Sequence, residues 1–122
     1  NGGESPESLD LAAGTLPRGD VLAALDRGIY VGNLWYLNYS DRTACRMTGM
    51  TRFASFWVEG GRIVAPLNVM RFDDTLYRML GSELEHLTAE RDLLPSSSTY
   101  LARSTASSRL PGALLRELTL TL

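Results

Sequence analysis

"TRFASFWVEGGRIVAPL", residues 51 to 67, has the form of a strand, a tight turn and a returning strand. Gly60-Gly61, between Glu59 and Arg62, is a two-residue hairpin signal, because glycine tolerates the positive φ that such a turn demands. The first strand is unusual. Strand-forming residues run from Arg46 to Val58 with a break expected at Gly49, and over the second half Phe53, Ser55 and Trp57 share one face while Ala54, Phe56 and Val58 share the other. Neither face is polar, so both need cover. The returning "RIVA" meets Pro66, which has no amide proton to give to a ladder and therefore marks an edge or an exit.

Outward from the hairpin, the chain alternates aromatic and β-branched stretches with turn residues. "IYVGNLWYLNY" suits a pleated surface, with a bulge or bend at Gly32 and Asn33, and a loop follows over "SDRTA". Before it, "DVLAALDRG" is a helix of about two turns. Asp20 is placed to cap it, and Gly28 to stop it in a left-handed conformation. After the hairpin, "DDTLYRMLGSELEHL" places Leu76, Met79, Leu80, Glu83, Leu84 and Leu87 near helical spacing. This predicts a helix over 74–87, capped by Asp73 or Asp74 and broken at Gly81-Ser82, with Ser82 and Glu85 as a second capping box. "PSSSTYLARSTASSRLPG" is expected to be loop with a short strand around 99–103. "ALLRELTLTL" alternates as a half-buried terminal strand over 113–122. Residues 1–19, rich in Gly, Pro, Ser and acids around Leu9 and Leu11, form a linker or at most one edge strand, ahead of a domain over 20–122. The expected fold class is α+β, mostly β: a curved antiparallel sheet with sandwich-like or barrel-like packing and one or two short helices.

Composition narrows the chemistry. A chain of 122 residues suits one domain that buries roughly two-thirds of its unfolded surface. Twelve basic residues, all arginine, against fourteen acidic give no cationic field of the kind that nucleic acid requires. No apolar run approaches the roughly 18 residues of a spanning helix, so no membrane partner is expected. The single cysteine, Cys45, excludes an internal disulfide and fits a reducing cytoplasm. The first residue is Asn1 rather than methionine, which points to a piece of a longer protein.

Few residues invite catalysis. His86 is the only histidine, and its acidic neighbours Glu83, Glu85 and Glu90 read as a solvated helix face rather than as metal ligands. Arg46 beside Cys45 could lower the thiol pKa, but a buried or merely tolerated cysteine is the preferred reading. Asp73-Asp74 are explained by a helix cap, the serines at 96–98 by loop composition, and Met47, Met50 and Met70 with Trp35, Tyr36, Phe53, Phe56 and Trp57 by core packing. The expectation is that this segment holds no metal and no catalytic residue.

One constellation is more specific. The succession "RGIYVGNLWYLNYSDRTACRMTGMTRFASFWVEGGRIVAPLNVMRFDDTLYRML", with the closing "STASSRLPGALLRELTLTL", resembles the C-terminal region of the TldD/PmbA family, also called modulators of DNA gyrase. Its strongest part is Gly49, then Arg52, then "FWVEGGRIVAPL". The resemblance implies a cytoplasmic parent protein related to zinc metallopeptidases, whose H-E-x-x-x-H helix lies upstream of this segment. Two histidines one helical turn apart can face one metal there, with the glutamate as base. It further implies that zinc, where present, belongs to that upstream domain or to a partner subunit. The metal-binding branch draws a cysteine ligand from the loop corresponding to "STASSRLPG", where this sequence has Ser107 and Ser108. That favours the metal-free branch, which pairs with an active subunit. The implied role is a non-catalytic structural and interaction domain of a peptide-processing enzyme, working in a homo- or hetero-oligomer around a peptide substrate. Gly49, Thr51, Arg52 and Trp57 are the candidate chamber or interface contacts. The alternative is a non-enzymatic module that modulates a partner such as DNA gyrase.

Overall fold

The computed structural model describes residues 6–97 and 102–121. Its backbone groups into two compact units. One comprises Gly19–Glu85 with Leu114–Leu122, and the other runs up to Arg18 and resumes over His86–Ala113. The architecture is α+β and mostly β, and none of the sheets closes into a barrel.

The hairpin forms as its glycines require. β5 (Ser55–Glu59) pairs antiparallel with β6 (Arg62–Pro66), Glu59 stands opposite Arg62, and Gly60 and Gly61 take φ values of 57° and 68°. Both positive angles define the primed turn whose twist matches that of the flanking strands. β2 (Gly28–Val31) pairs along the other side of β5, giving a sheet in the order β2-β5-β6 with Pro66 on an edge. Helix α1 (Val21–Leu25) lies against this sheet, and its backbone at Leu22 and Ala23 meets the hairpin glycine Gly61. Asp20 precedes α1, but its carboxylate makes no capping hydrogen bond. The helix stops at Asp26 with φ 51°, and Gly28 instead opens β2.

The long strand of the opening stretch is two strands. β4 (Arg46–Thr51) runs unbroken through Gly49, and the chain bends over residues 52–54, where Ala54 takes φ 58°. Phe53 therefore sits outside the strand and is 68% exposed, so it does not share a covered face with Ser55 and Trp57. Within β5 the need for cover on both faces is met unevenly. Val58 and Ser55, on opposite faces, are buried, whereas Phe56 and Trp57 are half-buried.

A second sheet has the order β10-β7-β4-β3, made with β3 (Leu34–Asp41), β7 (Arg71–Thr75) and the two-residue β10 (Leu120–Thr121), all antiparallel. Gly32 and Asn33, where a bulge or bend is expected, carry the chain from β2 in one sheet to β3 in another, and the bulge itself falls inside β3. There Tyr36, with φ 54°, and Leu37 occupy the register shift between Trp35 and Asn38. The "SDRTA" loop closes as an Asx turn, with Asp41 Oδ1 accepting from the Thr43 and Ala44 amides.

The helix predicted over 74–87 is the largest correction. Asp73 and Asp74 lie in β7 rather than at a cap, helical backbone is confined to a turn ending in the π-helical Arg78–Ser82, and the chain is extended again from Leu84. The apolar positions 76–87 fit a helical period, but ladder pairing at either end prevails over it: β7 pairs with β4, and β8 (Leu84–Pro95) is hydrogen-bonded to β9 (Ser107–Leu115). The Ser82 hydroxyl meets the carboxylate of Glu83 rather than forming a capping box with Glu85.

In the other unit the order is β1-β9-β8, with β1 (Ser8–Asp10) at an edge. β1 pairs with β9 in parallel, so the sheets are not uniformly antiparallel. β9 occupies part of the expected serine-rich loop, and the terminal strand is reduced to β10, with residues 116–119 outside any strand. The short strand expected around 99–103 lies largely outside the described residues; residues 102 and 103 are not in a strand.

Candidate functional site

Pairing decides which residues of the four-stranded sheet share a face, since side chains directly opposite each other project to the same side. One face carries Gly49 opposite Phe72, Met47 opposite Asp74, and Leu120 opposite Phe72. Phe72 is 2% exposed, Asp74 4% and Thr51 1%, so this face is the covered one. Its packing depends on the missing side chain at Gly49: a Cβ there would stand 2.7 Å from the Phe72 ring and 2.7 Å from Leu37 Cδ2. Glycine at this point serves close approach rather than a turn.

Asp74 is held in that covered face by an ion pair. Its Oδ2 accepts from Arg78 Nη1 at 2.8 Å and its Oδ1 from the Thr75 amide at 2.8 Å. Burial pushes the carboxyl pKa up, but the hydrogen bonds from Arg78 and Thr75 and the charges of Arg78 and Arg46 outweigh it and hold it below the ordinary value. Arg78 also reaches Glu117 at 2.9 Å, and together these pairs tie the π-helical turn to β7 and to the segment before β10. The residue types that suggested metal or acid chemistry are thus engaged structurally. Glu83 and Glu85 face Arg78 and Arg116, and Glu90 accepts from the Arg18 amide. His86 lies in β8, where helical spacing no longer gathers it with these glutamates. Among the described residues no three His, Cys, Asp or Glu side chains converge as a metal site would require. Cys45 sits in a turn at φ 47°, and Arg46 turns to Asp73 at 3.0 Å. A hydrogen bond with the Cys45 thiol raises the pKa of Tyr77 above the ordinary phenol value.

The opposite face of the same sheet is open. Trp35, Met50 and Arg71 form one cross-strand row on it, and Asn38, Thr48 and Asp73 the next. Tyr36 stands edge-on to Trp35 with ring centroids 5.9 Å apart, and the Arg52 guanidinium lies 4.4 Å over the Trp35 ring. Between the rows is an open groove of about 300 Å³ lined by Tyr36, Asn38, Thr48, Gly49, Met50 and Arg71.

The family model for the PmbA/TldA metallopeptidase C-terminal domain matches residues 3–122. The chain belongs to the PmbA/TldD family. No curated protein and no solved structure gives a significant match.

Within this PmbA/TldD C-terminal domain the four candidate contacts do not meet in one cavity. Gly49 and Thr51 lie on the covered face of β4, and Gly49 adds only its thin edge to the groove behind it. Thr51 is a lock at the end of the strand, accepting the Met70 amide on its hydroxyl at 2.9 Å. Arg52 is exposed on the aromatic Trp35, and Trp57 belongs to the β2-β5-β6 sheet, with Arg27 5.8 Å from its ring. The groove residues Asn38, Thr48 and Arg71 escaped sequence reasoning, because they meet only where the hairpin of β3 and β4 pairs with β7 from further along the chain. The alternation of Thr48 and Met50 across the bare Gly49 is the one local sign of an outward face there.

Proposed function

We propose that this chain is a non-catalytic structural and interaction domain of a PmbA/TldD-type metallopeptidase, helping to wall the space in which a peptide is held and to join subunits. The observation that carries this reading is β3. It is eight residues long, stands at the edge of its sheet, and every one of its residues is exposed, including Leu34, Trp35, Tyr36, Leu37 and Tyr39. An edge strand of that length with apolar side chains, no proline and no lysine offers unpaired amides and carbonyls to another chain. The carboxylates of the domain point the same way, since Asp10, Asp73, Asp74, Glu85, Asp92 and Glu117 are all engaged by arginines. The serines at 107 and 108 support assignment to the metal-free branch, with peptide hydrolysis supplied elsewhere in the assembly.

Two measurements on the same sample test the proposal. In sedimentation equilibrium at micromolar concentration the chain associates beyond its 13.4 kDa mass, and Leu34→Lys with Tyr39→Lys shifts it back toward that mass. With zinc added, it hydrolyses no peptide. A single 13.4 kDa species throughout, or zinc-dependent hydrolysis abolished by a chelator, refutes the scaffold role.

A further inference from the structure

The open face of the four-stranded sheet carries an imbalance that the scaffold role does not use. Its acids are engaged: Asp73 holds Arg46 and the Ser40 hydroxyl, and Asp41 accepts two amides of its own turn. Among the described residues, two of its guanidiniums have no carboxylate partner. Arg52 rests on Trp35, and Arg71 lines the groove beside Met50 without an ion pair. An unpaired guanidinium presents five donors in a planar fork that matches a carboxylate in two parallel hydrogen bonds. Around it the groove offers an apolar wall, Met50 and the ring of Tyr36, and a polar end. At that end the Asn38 amide bonds only weakly to the Tyr36 carbonyl, at 3.4 Å, and the Thr48 hydroxyl, which donates to the Phe72 carbonyl, keeps its capacity to accept.

We propose that this groove binds a carboxylate attached to an apolar side chain, with Arg71 taking the carboxylate and Met50 and Tyr36 the side chain. One unpaired cation and an apolar remainder fit a monoanion better than a phosphate, which gathers several cations. A volume of about 300 Å³ lies at the lower end of ligand pockets and holds a group the size of one amino-acid residue. The same chemistry is presented by the end of a peptide chain and by a free aromatic acid.

Calorimetric titration of the 122-residue chain with N-acetyl-L-phenylalanine, its amide, and acetyl-Ala-Ala-Phe with a free carboxylate tests this. The acid binds at least about tenfold more tightly than the amide, as a charge-assisted pair requires. Arg71→Gln abolishes that preference and leaves the two ligands equal, whereas Tyr36→Ala weakens both by the same factor. Raising the salt to about 0.5 M weakens the acid and spares the amide, which gives a reading that needs no variant. A tripeptide that binds about tenfold more tightly than the blocked amino acid identifies a chain terminus as the ligand, and equal affinity identifies a free acid. Equal binding of acid and amide, no binding of either at about 10 mM, or a preference that survives Arg71→Gln overturns the proposal. None of these outcomes depends on association through β3.

Discussion

Thr51 and Met70 are bound to each other three times: the Thr51 amide donates to the Met70 carbonyl at 2.8 Å, the Met70 amide donates to the Thr51 hydroxyl at 2.9 Å, and that hydroxyl donates weakly to the Met70 carbonyl at 3.5 Å. The side chain thereby takes the place of a backbone acceptor where β4 gives way to the bend over residues 52–54. Thr51 is 1% exposed, so no water can substitute for it. Thr51→Val keeps the shape and leaves the Met70 amide without an acceptor, at a cost of about 1 to 3 kcal/mol. Thr51→Ser keeps the acceptor and loses less. Denaturant midpoints for the two variants check the order, and a valine variant that unfolds with the wild type would show that the hydroxyl is dispensable.

Val58 and Phe53, five residues apart in one apolar run, are expected to behave oppositely. Val58 is wholly buried in the central strand of its sheet, and Val58→Ala should cost about 2 kcal/mol or more through lost burial and the cavity it leaves. Phe53 is 68% exposed in the bend, and Phe53→Ala should shift stability by no more than about 0.5 kcal/mol. Similar losses at both positions in urea unfolding would mean that the strand continues through residues 52–54.

Asp74 sets an acid limit on stability. Its folded pKa lies below the ordinary value of 3.8, so the stabilisation from its ionised form is complete above that value and is lost as pH falls through the folded pKa. Asp74→Asn removes this contribution and flattens the dependence of unfolding free energy on pH in the acid range, while making the variant less stable near neutrality. Thermal unfolding between about pH 2 and pH 6 resolves it, and a variant with the wild-type slope would place the linkage elsewhere.

The sequence by itself determined the features governed by short-range rules. Gly60-Gly61 fixed the hairpin, because two positive φ angles in succession admit little else, and Pro66 fixed an edge, because it lacks an amide proton. The order of residues around Gly49, Arg52 and the hairpin also carried the family, which the match over residues 3–122 bears out. The helical period over 74–87 does not become a helix, for a physical reason. Leucines spaced three and four apart satisfy a helical period, but Asp74 gains more from Arg78 and the β4 ladder than from a cap, and a sequence window does not contain those partners. Gly49 looked like a break because its function, room for Phe72 and Leu37, depends on side chains 23 and 12 positions away. The groove was hidden for the same reason: Asn38, Thr48 and Arg71 become neighbours only when three antiparallel strands take their register, and strand pairing is a long-range interaction that no local period encodes.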